Sequence, residues 1–546
     1  MEPHRLRTPR DDGAVLADPP LDQTAGLIAI NGARLRAWDH DFQGRRAGHL
    51  RSMARAQVLA KSREHHARFG LDFEASDDRS RPWVVTGHQP ELFHPGVWVK
   101  NFAVAALARE HRGIGLNLIV DNDIPKGATI RVPKHEASRL SADSVAFDVP
   151  SSEIPYEDWR VVSEDLFATF RDRARAGLGA VVADPILDEF WPHAMRAAEA
   201  TDRAGLRFAV ARCSVEAAWG VKNLEVPLGA VCETEAFAWF ACHLLAHLPR
   251  FQATHNAALS RYRALYKIRS KNHPVPLLDR EGEWIEAPFW AWRDRSPRRR
   301  PLMARQTAKA IELRIAGERE PLGSLRLTAD SEACCAVEDF QEFARRGIRV
   351  RTRALTTTMF ARLLLGDLFV HGIGGAKYDE LGDEVIRGFF GIAPPAYLTL
   401  SMTQWLELDA KPSASAKLAS IERESRDLTY RPEIFLKDRE EPAVQALIAA
   451  KTSAIAGPTA TRRERVARFR EIRLLNDHLA PFVANRLSSL GARRRAVQGD
   501  VRDNLLAMSR EWSFVLHSAS KWVGTLRDTF PGLLGIKKNG PTPPQA

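Results

Sequence analysis

With 546 residues, 45% of them hydrophobic and 27% charged, the chain has material for about two to four packed domains and is not a disordered polypeptide. Lysine and arginine number 79 against 68 acidic residues, a formal charge of +11, which brings nucleic acid into consideration as a partner. Five cysteines without C-x-x-C spacing argue against a disulfide framework, and the most apolar run, Met359 to Val370, is broken by Arg362 and Asp367, which argues against a membrane span.

Residues 1–45 are polar and turn-rich and are expected to form an N-terminal arm with little structure; Met1 to Pro20 lacks the apolar segment of a secretory leader, so a cytoplasmic location is expected. From His49 to Phe69, Leu50, Met53, Ala54 and Val58 lie on one helical stripe, followed by Gly70. Pro82 to Thr86 is a short apolar strand. After two Gly/Pro breaks comes a helix with Val99, Phe102, Ala103, Ala106 and Leu107 on one face, then a strand at Leu116 to Val120. Strand, helix and strand with short links predict a parallel crossover, the first half of an α/β core over 46–130.

Residues 131–330 form an inserted mixed α/β region, with helices expected at Ser163 to Ala176 and Thr234 to His247. Cys242, His243 and His247 have part of a zinc-ligand spacing, but the surrounding helix is apolar and core residues are the simpler account, so no metal is predicted there. The vicinal Cys334-Cys335 pair is also assigned to the core. Tyr262, Arg263, Lys267, Arg269, His273, Glu286, Trp290 and Trp292 could line a polar pocket or stack bases; the simpler alternative is aromatic packing of a small subdomain.

The second half of the core is placed at 331–403: a strand at Arg349 to Arg353, a helix at Thr356 to Leu365, a strand at Asp367 to His371, a helix at Ala376 to Phe390, and a strand at Tyr397 to Leu400. Helices expected at 415–428, 441–456, 461–490 and 494–530 make a helical domain over 404–535. Within it Ile472, Leu475, Leu479, Val483, Leu487 and Leu490 step by threes and fours as in a short coiled coil. The arginine clusters Arg462 to Arg470 and Arg493 to Arg495 are expected on solvated helix faces, and 536–546 is a polar tail.

Three constellations could carry chemistry. Thr86-Gly87-His88-Gln89, followed by His94, Gly96 and Lys100, lies between a strand end and a helix, where parallel sheets bind ligands and helix N-termini favour anions; a histidine-capped turn is the structural alternative. Asp121-Asn122-Asp123 ends the next strand and could bind a divalent ion or an ammonium, or act as a base, or simply start a turn. His371-Gly372-Ile373-Gly374-Gly375-Ala376-Lys377-Tyr378-Asp379 offers bare backbone N–H groups and a lysine in the first helical turn; tight strand–helix packing is the alternative. Neither a Walker A nor a G-x-G-x-x-G string is present, and Gly-x-Ser-x-Gly and His-Glu-x-x-His are also absent.

In this order, the three constellations and the helical end resemble the bacillithiol-biosynthesis cysteine-adding enzymes. The family's T-G-Q-Q…G-P…K stretch is similar to Thr86-Gly87-His88-Gln89, Pro95-Gly96 and Lys100, with His88 in place of the first Gln. Its E-D-H-D motif is similar to Val120-Asp121-Asn122-Asp123, and its G-P-G-E-x-A-Y segment to Gly372 through Tyr378. The resemblance implies a Rossmann-like parallel-sheet core related to nucleotidyltransferases and class I tRNA synthetases, with an inserted region and a coiled-coil-like helical appendage. It further implies a carbon–nitrogen ligase that adds cysteine to the amine of a small acceptor, using ATP with Mg2+ to activate the carboxylate. Thr86, Gly87, Gln89, Gly96, Lys100, Gly372, Gly374, Gly375 and Tyr378 would then bind the nucleotide, and His88, Asp121, Asp123, His371 and Lys377 would be catalytic. Small-molecule substrates and a homodimer through the helical domain are the expected partners, with no membrane. Nucleic-acid binding or nucleotide modification by the basic helices, and a non-catalytic scaffold, are the alternatives.

Overall fold

The computed structural model describes residues 6–71, 78, 80–136, 139–150, 153–179 and 181–533; the tail assigned to 536–546 lies outside them. The protein is mixed α/β with a helical region toward its C-terminal end, and divides into two units. The first holds residues 1–132, 144–406 and 510–546; the second holds 133–143 and 407–509.

The first unit is built on a six-stranded sheet of β1 (Val15–Asp18), β2 (Trp83–His88), β3 (Ile114–Ile119), β6 (Leu224–Pro227), β13 (Leu368–His371) and β14 (Tyr397–Met402), ordered β1-β14-β13-β2-β3-β6. All neighbours are parallel except β1, which runs antiparallel to β14. β3 and β13 are buried from end to end, as is β2 apart from Gly87, which is why they read as continuous apolar runs rather than as alternating ones. From β2 the chain moves outward to β3 and β6, returns to β13 on the other side of β2, and moves outward again to β14. Connections therefore leave β2 and β13 in opposite directions, and a crevice opens at their carboxyl ends.

The expected N-terminal arm is instead part of this layer. It supplies β1 and the helix α1 (Thr24–Ala37), whose buried Asn31 amide donates to the carbonyls of Asp367 at 2.8 Å and Ala396 at 2.7 Å. Its apolar contacts are few and scattered, so no periodic stripe marked it. The next helix, α2 (Ala47–Arg68), sends Arg51 and Arg55 onto the buried carboxylate of Asp367, at 2.8 and 2.6 Å. That carboxylate also accepts the Trp83 N–H at 2.8 Å. The charge that interrupts the apolar run before β13 thus ties α2 to two central strands; a buried pair of this kind leaves an uncompensated charge if one partner is removed.

The remaining strands are a hairpin of β4 (Thr129–Glu136) and β5 (Arg139–Ala146) and an antiparallel sheet of β8 (Trp284–Arg293), β9 (Ser296–Gln306), β10 (Ile311–Ile315), β11 (Gly323–Leu325) and β12 (Ile348–Thr352), with β7 (Arg280–Glu281) beside β8. The strand expected at Arg349 to Arg353 as part of the parallel core is β12, and it pairs antiparallel with β8. Its arginines explain the change of partner: Arg349 and Arg351 lie on the carboxylates of Glu157, Glu233 and Asp294, which the apolar central strands do not offer. The Cys334-Cys335 pair, expected in the core, is exposed at the start of the Cys334–Arg345 helix, because Ala336, Val337, Phe340 and Phe343 form that helix's buried face.

In the second unit, a 46-residue helix, Arg462–Ala507, starts with a reciprocal cap between Thr461 and Glu464. Its Leu479, Val483 and Leu490 are buried with Ile421, Leu428, Leu436 and Val444 of the preceding segments. The helices expected at 461–490 and 494–530 are therefore one helix up to Ala507. Residues 510–533 belong to the first unit, where Trp512, Phe514 and Trp522 are buried. Arg493 to Arg495 are exposed. Among the described residues no helix is long and apolar enough to cross a membrane.

Candidate active site

A cavity of about 550 Å3 lies at the carboxyl ends of β2 and β13, the reversal point of the sheet where ligands of α/β proteins collect. Two helices begin beside it: α3 (Pro95–Glu110), which follows β2, and the Ile373–Val385 helix, which follows β13. Gly87, His88 and Gln89 form one wall and His371, Gly372, Gly374 and Gly375 another; Gly96, Lys100 and Tyr378 also line the space. Thr86 lies beneath it, fully buried, with its hydroxyl donating to the Val370 carbonyl at 2.9 Å across the β2–β13 junction.

The two histidines are held differently. His371 Nε2 lies 2.7 Å from Asp379 Oδ2, two turns into the helix that follows. A carboxylate only accepts, so Nε2 carries the proton and Nδ1 presents a lone pair. Nδ1 meets no hydrogen-bond partner among the described residues, and a Cβ at Gly375 would lie 2.7 Å from it, so glycine keeps that approach open. Burial pulls the His371 pKa below its ordinary value against the opposing charge of Asp379, and the nearby Arg362 and Lys100 pull it further down. Burial pushes Asp379 up, but His371 and Arg362 outweigh it and hold the carboxyl down at about 2. The pair is a neutral imidazole oriented by a permanent carboxylate, the arrangement of a general base.

His88 lies on the same cavity with Nε2 engaged and Nδ1 covered. Asn101 gives its amide N–H to Glu216 Oε1 at 2.8 Å, so its oxygen takes the His88 Nε2 proton at 2.9 Å. Nδ1 faces the Gln89 carbonyl at 3.2 Å. Glu216 in turn receives Trp98 Nε1 at 2.6 Å and Arg212 at 2.9 Å. Burial, with Lys100 and Arg212 near, drives the His88 pKa well below the usual range.

Lys100 is a buried cation on this cavity. It is 6% exposed, lines the cavity, and burial alone lowers its pKa to about 8; no carboxylate or carbonyl bonds it among the described residues. Arg510 enters from the far end of the chain, donating to Ser401 Oγ at 3.1 Å, 3.4 Å from His94 Nδ1. His94 itself caps α3, accepting the Gly96 N–H at 3.1 Å, and burial followed by Arg510 lowers its pKa to about 3. A Cβ on Gly96 would overlap Arg510 Nη2 and the Met402 carbonyl, so glycine there makes room for the arginine. By contrast, a Cβ at Gly372 or Gly374 would meet nothing within 4 Å. Internal packing does not demand these two glycines, and they leave the first-turn N–H groups of the helix bare beside the cavity.

Five residues expected to be catalytic do not converge on one space. His88 and His371 do. Asp123 lines an adjoining cavity, accepting Gln89 Nε2 at 2.8 Å and pairing with Arg299 at 2.8 Å. Asp121 lines neither cavity: it turns under the sheet to accept the Gly229 N–H at 2.8 Å, and burial beside Glu157 pushes its pKa up to about 8. The chain turns over residues 121–123, after β3 has ended at Ile119, so the two-residue repeat that would put positions 121 and 123 on one side no longer applies. Lys377 is exposed and lines neither cavity, because a first-turn position three residues past the bare glycines faces outward from the helix. Asp379, which ends the third constellation, and Arg510 carry no expected role in the sequence reading. The first was legible as a carboxylate eight residues after a strand-end histidine; the second carries no local signal, lying about 110 residues beyond β14.

Of the mixed residues of the inserted region, Tyr262 and Trp292 are buried, and Trp292 donates to Asp158 at 2.7 Å. Trp290 lines the adjoining cavity. Cys242 and His243 are buried; His243 Nδ1 lies 2.7 Å from Gln43 Oε1, which His247 also approaches. Among the described residues no group of three or more His, Cys, Asp or Glu side chains is placed to hold a metal ion.

Together these features define the class: an α/β protein with a parallel sheet whose reversal point carries a positively charged cavity and an oriented base. No protein-family model matches the chain, and no curated protein matches it.

Proposed function

We propose that the protein is a carbon–nitrogen ligase that joins a small amino acid, through its carboxylate, to the amine of a small acceptor, with nucleotide phosphates held in the positive cavity. Lys100 carries this reading: a buried ammonium without a counter-charge beside a cavity costs stability, and a bound anion offsets that cost. In chain order, the parallel strands run third, second, first, fourth, fifth across the sheet, the order of doubly wound nucleotide-binding folds, which supports a Rossmann-like core. The resemblance to the cysteine-adding enzymes supports cysteine as the amino acid and ATP as the nucleotide.

The residues fit such a group. Lys100, Arg510 and the bare N–H groups after Gly372 would hold phosphate oxygens. When bound, the nucleotide supplies activation of the carboxylate. His371 Nδ1 removes the proton from the acceptor's ammonium, and Asp379 stabilises the imidazolium that results. Gln89, on the wall shared with the second cavity, orients Asp123 toward the same amine.

Calorimetric titration of the full chain with ATP, together with mass-spectrometric detection of a cysteinyl amide from cysteine, ATP and a panel of primary-amine acceptors, tests the proposal. Wild-type protein binds ATP and Lys100→Met weakens binding at least 10-fold. Absence of ATP binding to the wild-type chain ends this reading. A purely scaffolding protein would bind neither substrate nor nucleotide and would be indifferent to His371→Ala.

A further inference from the structure

The second cavity, about 260 Å3, adjoins the first, and Gln89, Val120, Ala354 and Thr357 line both. Its walls differ in kind. Phe251, Leu278, Leu355 and Met359 are buried apolar side chains supported by the core. Gln89, Asp123 and Arg299 meet at one end, and the other polar side chains of the lining are bonded within the protein: Thr356 to the Pro288 carbonyl, Thr357 to Thr352 and the Arg353 carbonyl, Arg353 to Glu286, and His255 Nδ1 to Asn256.

Trp290 forms part of the wall and is clamped there: the guanidinium of Arg353 lies 4.2 Å from its ring centre and that of Arg299 4.9 Å. Arg299 is in turn fixed on Asp123 and on the Asn122 carbonyl at 2.9 Å. Asp123 Oδ1 accepts from Arg299 and from the Ile124 N–H at 2.9 Å, and Oδ2 accepts from Gln89. A carboxylate offers about four acceptor sites, so Oδ2 retains capacity for one more donor, beside the wall common to both cavities.

We infer that this chamber binds the acceptor, and that the acceptor is a primary amine on an apolar aromatic or aliphatic frame rather than on a polyhydroxylated sugar. The word acceptor rests on the ligase reading; the apolar frame rests on the chamber alone. An ammonium bonded to Asp123 sits next to Gln89 and therefore at the junction with the cavity that holds His371. The remainder of the molecule then meets Phe251, Leu278, Leu355 and Met359, with threonine hydroxyls already bonded within the protein. Sugar hydroxyls would lose more water there than these walls replace, whereas an apolar frame is favoured by them.

The test uses the full chain and three probes: 2-phenylethylamine, cyclohexylmethylamine and glucosamine, with dissociation constants from calorimetry or ligand-observed NMR. The apolar amines are expected to bind at least 10-fold more tightly than glucosamine. Met359→Trp, which fills the chamber, is expected to weaken them at least 10-fold while leaving ATP binding unchanged. Val275→Phe, at the chamber's less buried edge, gives the same result if Met359→Trp does not fold by circular dichroism. Tighter binding of glucosamine, or amine binding indifferent to a folded chamber-filling variant, overturns the inference and leaves the ligase reading standing. Apolar amine binding lost on filling, in a protein that never binds ATP, sustains the chamber and ends the ligase reading.

Discussion

The turns after β2 and β13 share a plan: a parallel strand ends in a histidine, glycine and polar residues follow, and a helix starts beside the cavity. They differ in what stands behind the ring. Behind His371 is a carboxylate, which fixes one nitrogen and leaves the other bare. Behind His88 is an amide already committed to Glu216, and the second ring nitrogen faces a carbonyl. One histidine is thus poised to accept a proton, and the other braces the wall. A shared strand–helix plan says where a ligand sits; the second residue out says which side chain does chemistry.

The comparison breaks most readily at His371. His371→Ala is expected to lower turnover of the ligation by roughly 10²–10⁴-fold, the usual worth of a positioned base, with unfolding little changed. Because the base works when unprotonated and its pKa lies below the ordinary 6.5, the wild-type rate rises with pH through an acid limb below that value and then levels. The limb should vanish in the variant. An acid limb that survives His371→Ala would assign the base elsewhere.

The next effect belongs to Lys100. Its charge is lost as pH rises through about 8, so ATP affinity is expected to weaken above that pH in wild type and to be flat in Lys100→Met. The linked stability has the opposite sign. In the native state the amine releases its proton near 8, in the unfolded chain nearer its ordinary value of 10.5, so the unfolded state holds more protons between those values and native stability rises with pH there. Removing the charge at neutral pH should raise stability by on the order of 2–3 kcal/mol, the size of this displacement. Denaturant titrations at pH 7 and pH 9 check it, and equal stability of Lys100→Met and wild type at pH 7 would contradict a buried, uncompensated ammonium.

Much of this arrangement is written in the chain. Apolar runs at Trp83 and Leu116, the glycine-rich turn after His371 and the placement of both at strand ends follow from local pattern, and they locate the cavity. Local pattern does not say which way a side chain faces once a strand has ended. Asp121 and Asp123 are equally acidic in sequence, yet one lies under Gly229 and the other against Gln89. Nor does pattern reveal partners that arrive from far along the chain, as Arg510 does. The edge strand β1 is four residues long, Val15–Asp18, and half-buried throughout, too short to show a period of its own.

His88 gives a smaller and different effect. His88→Ala removes the donor that satisfies Asn101 Oδ1 inside a buried polar chain running through Glu216 to Arg212 and Glu225. The expected cost is about 1–3 kcal/mol of stability, that of an orphaned buried acceptor, read from chemical unfolding, with turnover of the folded fraction falling less than 10-fold. A larger loss of turnover than in His371→Ala would reverse the assignment of the two rings.

Lys377 gives the smallest effect and the cleanest control. It follows the bare glycines in sequence and would serve an anion if composition alone decided the matter, yet it is exposed and lines neither cavity. A solvated ammonium interacts weakly with a charge held inside the protein, because water and salt screen it. Lys377→Ala is therefore expected to leave ATP affinity, turnover and unfolding within about 0.5 kcal/mol of wild type, the ordinary scatter of a surface substitution. Measured beside Lys100→Met at low ionic strength, where surface charges count most, it separates two lysines that each lie near a helix start beside the same cavity. A comparable loss of ATP affinity in both variants would mean that the anion is drawn by the general field around the helix start, and not by the buried amine of Lys100.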